Sequence, residues 1–128
     1  MTWVTGDQIV AHLIGDYLLQ SHWMATEKVR RHTAAIVHAL AYTVPFLLLT
    51  TSATALAVIA LSHFIVDRWR LARFVVWAKN GARGSVTNTG YPESVPDWLA
   101  VWLLIIADNT IHLLCNAVAL VLWAREGA

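Results

Sequence analysis

The stretch from Trp98 to Trp123, WLAVWLLIIADNTIHLLCNAVALVLW, carries a single full charge, Asp108. A hydrocarbon core of roughly 30 Å is crossed by about 20 helical residues, so this segment has the length and apolar character of a membrane span. Three more apolar segments precede it, from Trp3 to Leu19, Thr33 to Thr51 and Ala53 to Phe74. The whole chain agrees in tone: 58% of its 128 residues are apolar and only 13% charged, about half the usual charged share. Mean hydropathy is +0.56. So few charges do not cover a water-facing surface, and a net charge of +1 sets up no bulk field for nucleic acid. The expectation is an all-α, four-helix transmembrane bundle forming one integral membrane domain over residues 1–128. Its helices would cover about 3–19, 33–51, 53–74 and 98–123, with a cytoplasmic loop over about 79–97.

Basic residues orient this arrangement. Lys28, Arg30 and Arg31 lie between the first two segments, and Arg68, Arg70, Arg73, Lys79 and Arg83 follow the third; only Arg125 falls elsewhere. Both connections would be cytoplasmic and both termini on the non-cytoplasmic side of a bacterial inner membrane crossed several times. Trp3, Trp23, Trp69, Trp77, Trp98 and Trp123 stand near the expected helix ends as interfacial anchors. Thr51-Ser52 is a tight turn, and Pro45 is expected to kink the second helix. The stretch RWRLARFVVWAK, Arg68 to Lys79, mixes cations with aromatics and suits the membrane interface. The N-terminus has neither a basic n-region nor a small-residue cleavage site, so no removable signal peptide is expected. Cys115 is the single cysteine and has no internal partner.

Ionisable groups inside a bilayer are expensive and are functional suspects by default. Here they come in pairs spaced i, i+4, which share one helix face: His12 with Asp16, His63 with Asp67, and Asp108 with His112. His38 adds a fourth histidine, with Tyr42 one turn along. Imidazole and carboxylate are the usual ligands of zinc and related divalent ions. His12, Asp16, His38, His63, Asp67, Asp108 and His112 are therefore candidate metal ligands for one or two ions, zinc foremost. Gln20, Tyr42, Asn109 and Asn116 would hydrogen-bond those ligands. The bland alternative is a metal-free His–Asp network joining helices. His22 and His32, beside the first basic connection, read as solvated.

These residues also resemble a family of small bacterial and phage integral membrane proteins known only as a domain of unknown function. Its opening pattern, H-x-x-x-D, then L-Q, W-M and a basic residue, maps onto His12, Asp16, Leu19-Gln20, Trp23-Met24 and Lys28. It continues with H-A-L at His38 to Leu40, H-x-x-I-D at His63 to Asp67, where this chain has Val66 in the isoleucine place, and D-x-x-x-H at Asp108 to His112. Family members often read D-Q where this chain has Asp108-Asn109. The resemblance implies no reaction; in style it is similar to inner-membrane metal-dependent hydrolases.

The leading expectation is an intramembrane metal-dependent hydrolase acting on a lipid or amphiphile. A metal-bound water would attack, one of Asp16, Asp67 and Asp108 would serve as general base, and Lys28, Arg68 and Arg70 would hold an anionic headgroup. Two alternatives use the same residues differently. One is an ion- or proton-coupled carrier or channel element, which at four helices would need to form a homo-oligomer to enclose a pathway. The other is a non-catalytic membrane factor that binds a membrane-protein partner.

Overall fold

A computed structural model of the chain describes residues 5–126. Trp3, expected as an anchor at the start of the first helix, lies outside the described residues. Six α-helices follow in order: α1 Gly6–Leu13, α2 His22–Glu27, α3 His32–Thr43, α4 Ala53–Arg68, α5 Leu71–Lys79 and α6 Asp97–Trp123. No strand occurs among the described residues.

Local chemistry sets the boundaries. Thr5, Ser21 and Ser52 cap α1, α2 and α4, their hydroxyls accepting from the amides of Gln8, Met24 and Ala55, which satisfies donors a helix start leaves bare. After Leu13 the first helix widens into a π-helical turn over Ile14–Leu18, closed by the Leu19 amide on the Ile14 carbonyl at 2.9 Å. Pro45 stands in the 3-10 stretch Val44–Leu48 that tightens the end of α3. Arg70, at φ 50 in the left-handed region, breaks the third apolar segment into α4 and α5. Pro96 precedes α6.

Four helical segments form a ring: α1 with its π turn touches α3 and α6, and α4 touches the same two from the opposite side. Many buried positions are alanines, among them Ala11, Ala34, Ala35, Ala39, Ala55 and Ala117, and small side chains let helix backbones approach closely. Within the ring, Gly15 leaves no room for a side chain: an added Cβ would stand 2.6 Å from the Tyr42 carbonyl oxygen. Tyr42, Phe46, Ile59 and Ala119 make an apolar layer at one end of the ring, flanked by Leu49, Leu56 and Trp123. The other end is filled by polar groups. Outside, large apolar side chains such as Leu18, Leu48, Leu61 and Trp102 are exposed.

The expected four-helix transmembrane bundle is corrected here. Among the described residues one helix, α6, is long and apolar enough to cross a membrane by length and composition. α4 has 16 residues, roughly 24 Å at 1.5 Å per residue, short of a hydrocarbon core of about 30 Å. The run His32–Leu48 is apolar but also short, and α1 has 8 residues before its π turn. The sequence pattern counted apolar residues through Arg70, Leu13 and Thr43, where the backbone changes conformation. A multi-pass topology is therefore not supported, and the placement of both termini on one side, which needed an even number of crossings, goes with it.

Candidate metal centre

The paired spacing does what helix geometry requires. α4 turns His63 and Asp67 inward together, the first helix brings His12 and, from its π turn, Asp16, α3 brings His38, and α6 brings Asp108 and His112. The four histidines, Asp16 and Asp67 are buried, and Asp108 is half-buried. π turns in helices are frequent at functional sites because they re-aim one side chain; here that residue is Asp16.

Two groups of metal-ligating atoms converge. Asp16, His38, His63 and Asp67 each offer one atom, all within 4.8 Å of one another, and Asp16, Asp108 and His112 form a second such set. These groups could hold a metal ion. His38 Nε2 is 3.2 Å from Asp16 Oδ1 and 3.2 Å from Asp67 Oδ2. His63 Nε2 is 2.9 Å from His38 Nε2 and 3.2 Å from Asp67 Oδ2. Ligand atoms around a tetrahedral zinc at about 2.0–2.1 Å are ~3.3 Å apart; these four spacings are close to that, and His63 Nε2 to Asp16 Oδ1 is longer at 3.8 Å. The hydrogen-bond arithmetic points the same way. An imidazole Nε2 carries at most one proton, yet His38 Nε2 faces two carboxylate oxygens and a second imidazole nitrogen. One cation would satisfy all four atoms where one N–H cannot. His38 Nδ1 and His63 Nδ1 are buried without a protein partner.

His112 Nε2 lies 3.0 Å from Asp67 Oδ1 and 3.4 Å from Asp108 Oδ2, linking the two groups. His12 stands behind them: its Nε2 is 4.0 Å from Asp16 Oδ2, while that nitrogen meets Asn109 Oδ1 at 2.9 Å and its Nδ1 meets the Tyr42 hydroxyl at 2.8 Å. Both ring nitrogens are engaged, and His12 belongs to neither group. Tyr42 also accepts from Asn116 Nδ2 at 2.6 Å, and its ring stacks on His63 with centroids 3.6 Å apart. Tyr42, Asn109 and Asn116 thus hydrogen-bond around the histidines. Gln20 lines the adjoining cavity, with its Oε1 buried and unpartnered.

The basic residues separate. Lys28 enters the cluster: its Nζ is 2.6 Å from Asp67 Oδ2 and 3.5 Å from His38 Nε2. Burial works against the Lys28 charge, but Asp67 and Asp16 outweigh it and hold its pKa above the ordinary lysine value. Arg68 instead donates to the carbonyls of Val29 and Arg30 and to His32 Nδ1, fastening α4 to the link between α2 and α3. Arg70 donates to the Asn88 carbonyl and lines the cavity. His22 and His32 are exposed. The sequence assigns Lys28 to an anionic headgroup, whereas the structure places its ammonium on Asp67. The signal that would have placed it inward is charge balance, since buried carboxylates call for a nearby cation. Tyr17, bonded to Asn109, and Arg73, on the cavity wall, were also missed.

The cavity beside the cluster measures about 250 Å³. Asp16, Asp67 and Asp108 face it, Val66, Leu104 and Ile105 supply apolar wall, and Lys28, Arg70 and Arg73 supply positive charge.

An all-helical protein with a buried His/Asp cluster beside a cation-lined cavity is thus defined. The family described as Protein of unknown function (DUF3307) matches residues 4–124, and the chain belongs to that family. No curated protein and no solved structure matches it.

Proposed function

We propose that this chain is a membrane-associated, metal-dependent hydrolase acting on a lipid or amphiphile. The observation that carries the reading is the convergence of Asp16, His38, His63 and Asp67 on one buried point at the wall of a cavity with both apolar and cationic lining. When bound, a divalent ion such as zinc would polarise an ester oxygen and lower the pKa of water. Asp16 belongs to both ligand groups, the position a bridging carboxylate takes if two ions bind. With a single ion on Asp16, His38, His63 and Asp67, Asp108, half-buried at the cavity, stays free of the metal and is the carboxylate best placed to take the proton of an attacking water. That water's oxygen bonds to the ester centre, the ester bond to the leaving oxygen breaks, and the proton passes to the leaving group. α6 anchors the protein in the bilayer of the bacterial cytoplasmic membrane. In support, the most apolar window of α6 is only 22% buried, where the core helix of a water-soluble protein is mostly buried.

A second reading has its own observation. The Lys28 ammonium already sits 2.6 Å from Asp67, so the cluster holds one internal cation, as a metal-free proton- or ion-relaying network would. Metal analysis of protein purified in mild detergent separates the two, with His63→Ala and Asp67→Ala as controls. Near-stoichiometric metal that disappears in both variants is expected. Wild-type protein that stays metal-free when offered excess zinc would overturn the hydrolase and leave the network.

A further inference from the structure

The cavity has a second chemistry beside the ligand cluster, at Arg70, Arg73 and Gln20. Among the described residues the carboxylates within ion-pair distance of a lysine or arginine pair elsewhere: Asp67 with Lys28 and Glu27 with Arg31. Arg73 Nε is buried without a partner, as is Gln20 Oε1. A buried guanidinium N–H left unpaired is costly, and both atoms belong to residues that line the same cavity. Arg70 adds backbone evidence. It holds a left-handed φ of 50, which costs of order 1 kcal/mol for a non-glycine residue, and that conformation turns the chain from α4 into α5 at the cavity wall. Its Nη2 is tied to the Asn88 carbonyl at 2.7 Å, which fixes the direction of the side chain. Arg68, two residues earlier, spends its donors on backbone carbonyls and does not line the cavity.

Resting on the reading of this cavity as a substrate site, we infer that Arg70 and Arg73, with Gln20, form a phosphate-binding subsite, and that the ligand is a phosphate-bearing amphiphile. Guanidinium groups match phosphate geometry through paired N–H donors. The volume of about 250 Å³ is near the lower bound of ~300 Å³ for small-molecule sites, enough for a headgroup but not for two acyl chains. Val66, Ala72, Leu104 and Ile105 take the first carbons of the tail, and the rest runs out into the surrounding apolar phase. The three carboxylates at the cavity would repel a bare phosphate; the arginines, and a metal on the carboxylates, offset that repulsion.

The test measures binding of phosphatidic acid in detergent micelles, against the same micelles carrying diacylglycerol and against inorganic phosphate. Wild type is compared with Arg73→Gln, Arg70→Asn, which keeps a side chain that tolerates the left-handed region, and Arg125→Gln at the far end of α6. Phosphatidic acid should bind more tightly than diacylglycerol and inorganic phosphate, and each cavity variant should weaken it about ten-fold, the loss of one charge-assisted contact. Arg125→Gln should leave it unchanged. Equal binding of diacylglycerol, or equal weakening by Arg125→Gln, overturns the subsite; inorganic phosphate binding as tightly as phosphatidic acid overturns the amphiphile. Thermal unfolding and metal content of each variant separate this inference from the hydrolase. Metal-free protein that still binds phosphatidic acid through the arginines retains the subsite and loses the enzyme. Metal-loaded protein whose lipid binding ignores both arginines does the reverse.

Discussion

On one side of Tyr42, Phe46, Ile59 and Ala119 pack as an ordinary apolar core; on the other, His38, His63, Asp16, Asp67 and Lys28 fill the same ring of helices with charge and lone pairs. Tyr42 belongs to both regions, its ring stacked on His63 and its hydroxyl hydrogen-bonded to His12 and Asn116. The apolar layer is stabilised by burial alone and needs no specific partner. The polar layer removes charges from water, and only pairing or a bound ion offsets that cost. The same helices therefore carry one layer whose job is packing and one whose stability depends on what it holds.

Asp67→Ala should break this contrast most severely. It leaves Lys28 without its 2.6 Å partner and His112 without its 3.0 Å partner, and loss of one member of a buried pair costs about 3–5 kcal/mol. Bound metal should fall together with stability, as read by metal analysis and by denaturation in detergent. Full metal content in this variant would place the ion elsewhere. Phe46→Ala should cost about 3–4 kcal/mol, from the lost transfer energy and the cavity left behind, yet leave metal content unaltered; a parallel loss of metal would mean the layers are not separable. For Gly15→Ala the new Cβ meets the Tyr42 backbone, and overpacking of this kind costs about 1–3 kcal/mol. Because Asp16 is adjacent, metal affinity should drop too, which a competition titration with a zinc-sensitive dye measures. Tyr42→Phe keeps the stacked ring and removes the hydroxyl. Its expected cost is about 1 kcal/mol, with the His12 proton resonances shifting in NMR spectra; unmoved resonances would deny the hydroxyl its bridging role. Ser52→Ala, the smallest change, removes the α4 cap for about 0.5–1 kcal/mol, in thermal melts, without touching metal binding.

Much of the site was legible because helical periodicity is short-range. His63 and Asp67, or Asp108 and His112, share a face whatever surrounds them, and the polarity of those faces in so apolar a chain predicts that they turn inward. The helix count was legible in part. α6 lies within one residue of its expected start and ends where expected. The third segment was read through Arg70 because its letters stay compatible with helix, and the left-handed turn there is visible only in the folded chain. The π turn that carries Asp16 was hidden for the same reason. Lys28 was hidden by distance: it lies 39 residues from Asp67, and no local pattern says that the short α2 folds back over the cluster. His12, at a motif position like the others, is held off from the ligand groups by Asn109 and Tyr42, residues 97 and 30 positions away.

By itself the sequence determined an all-helical chain with an apolar exterior to cover and paired His/Asp faces to bury, since composition and i, i+4 spacing act within single segments. Tertiary structure alone decided that one helix and not four has the reach of a membrane span, that four of the seven candidate ligands meet at one point, and that Lys28 joins them. The backbone breaks at Leu13, Thr43 and Arg70 and the closing of the ring are settled by contacts between segments, where desolvation of one charge is offset by another that is remote in sequence.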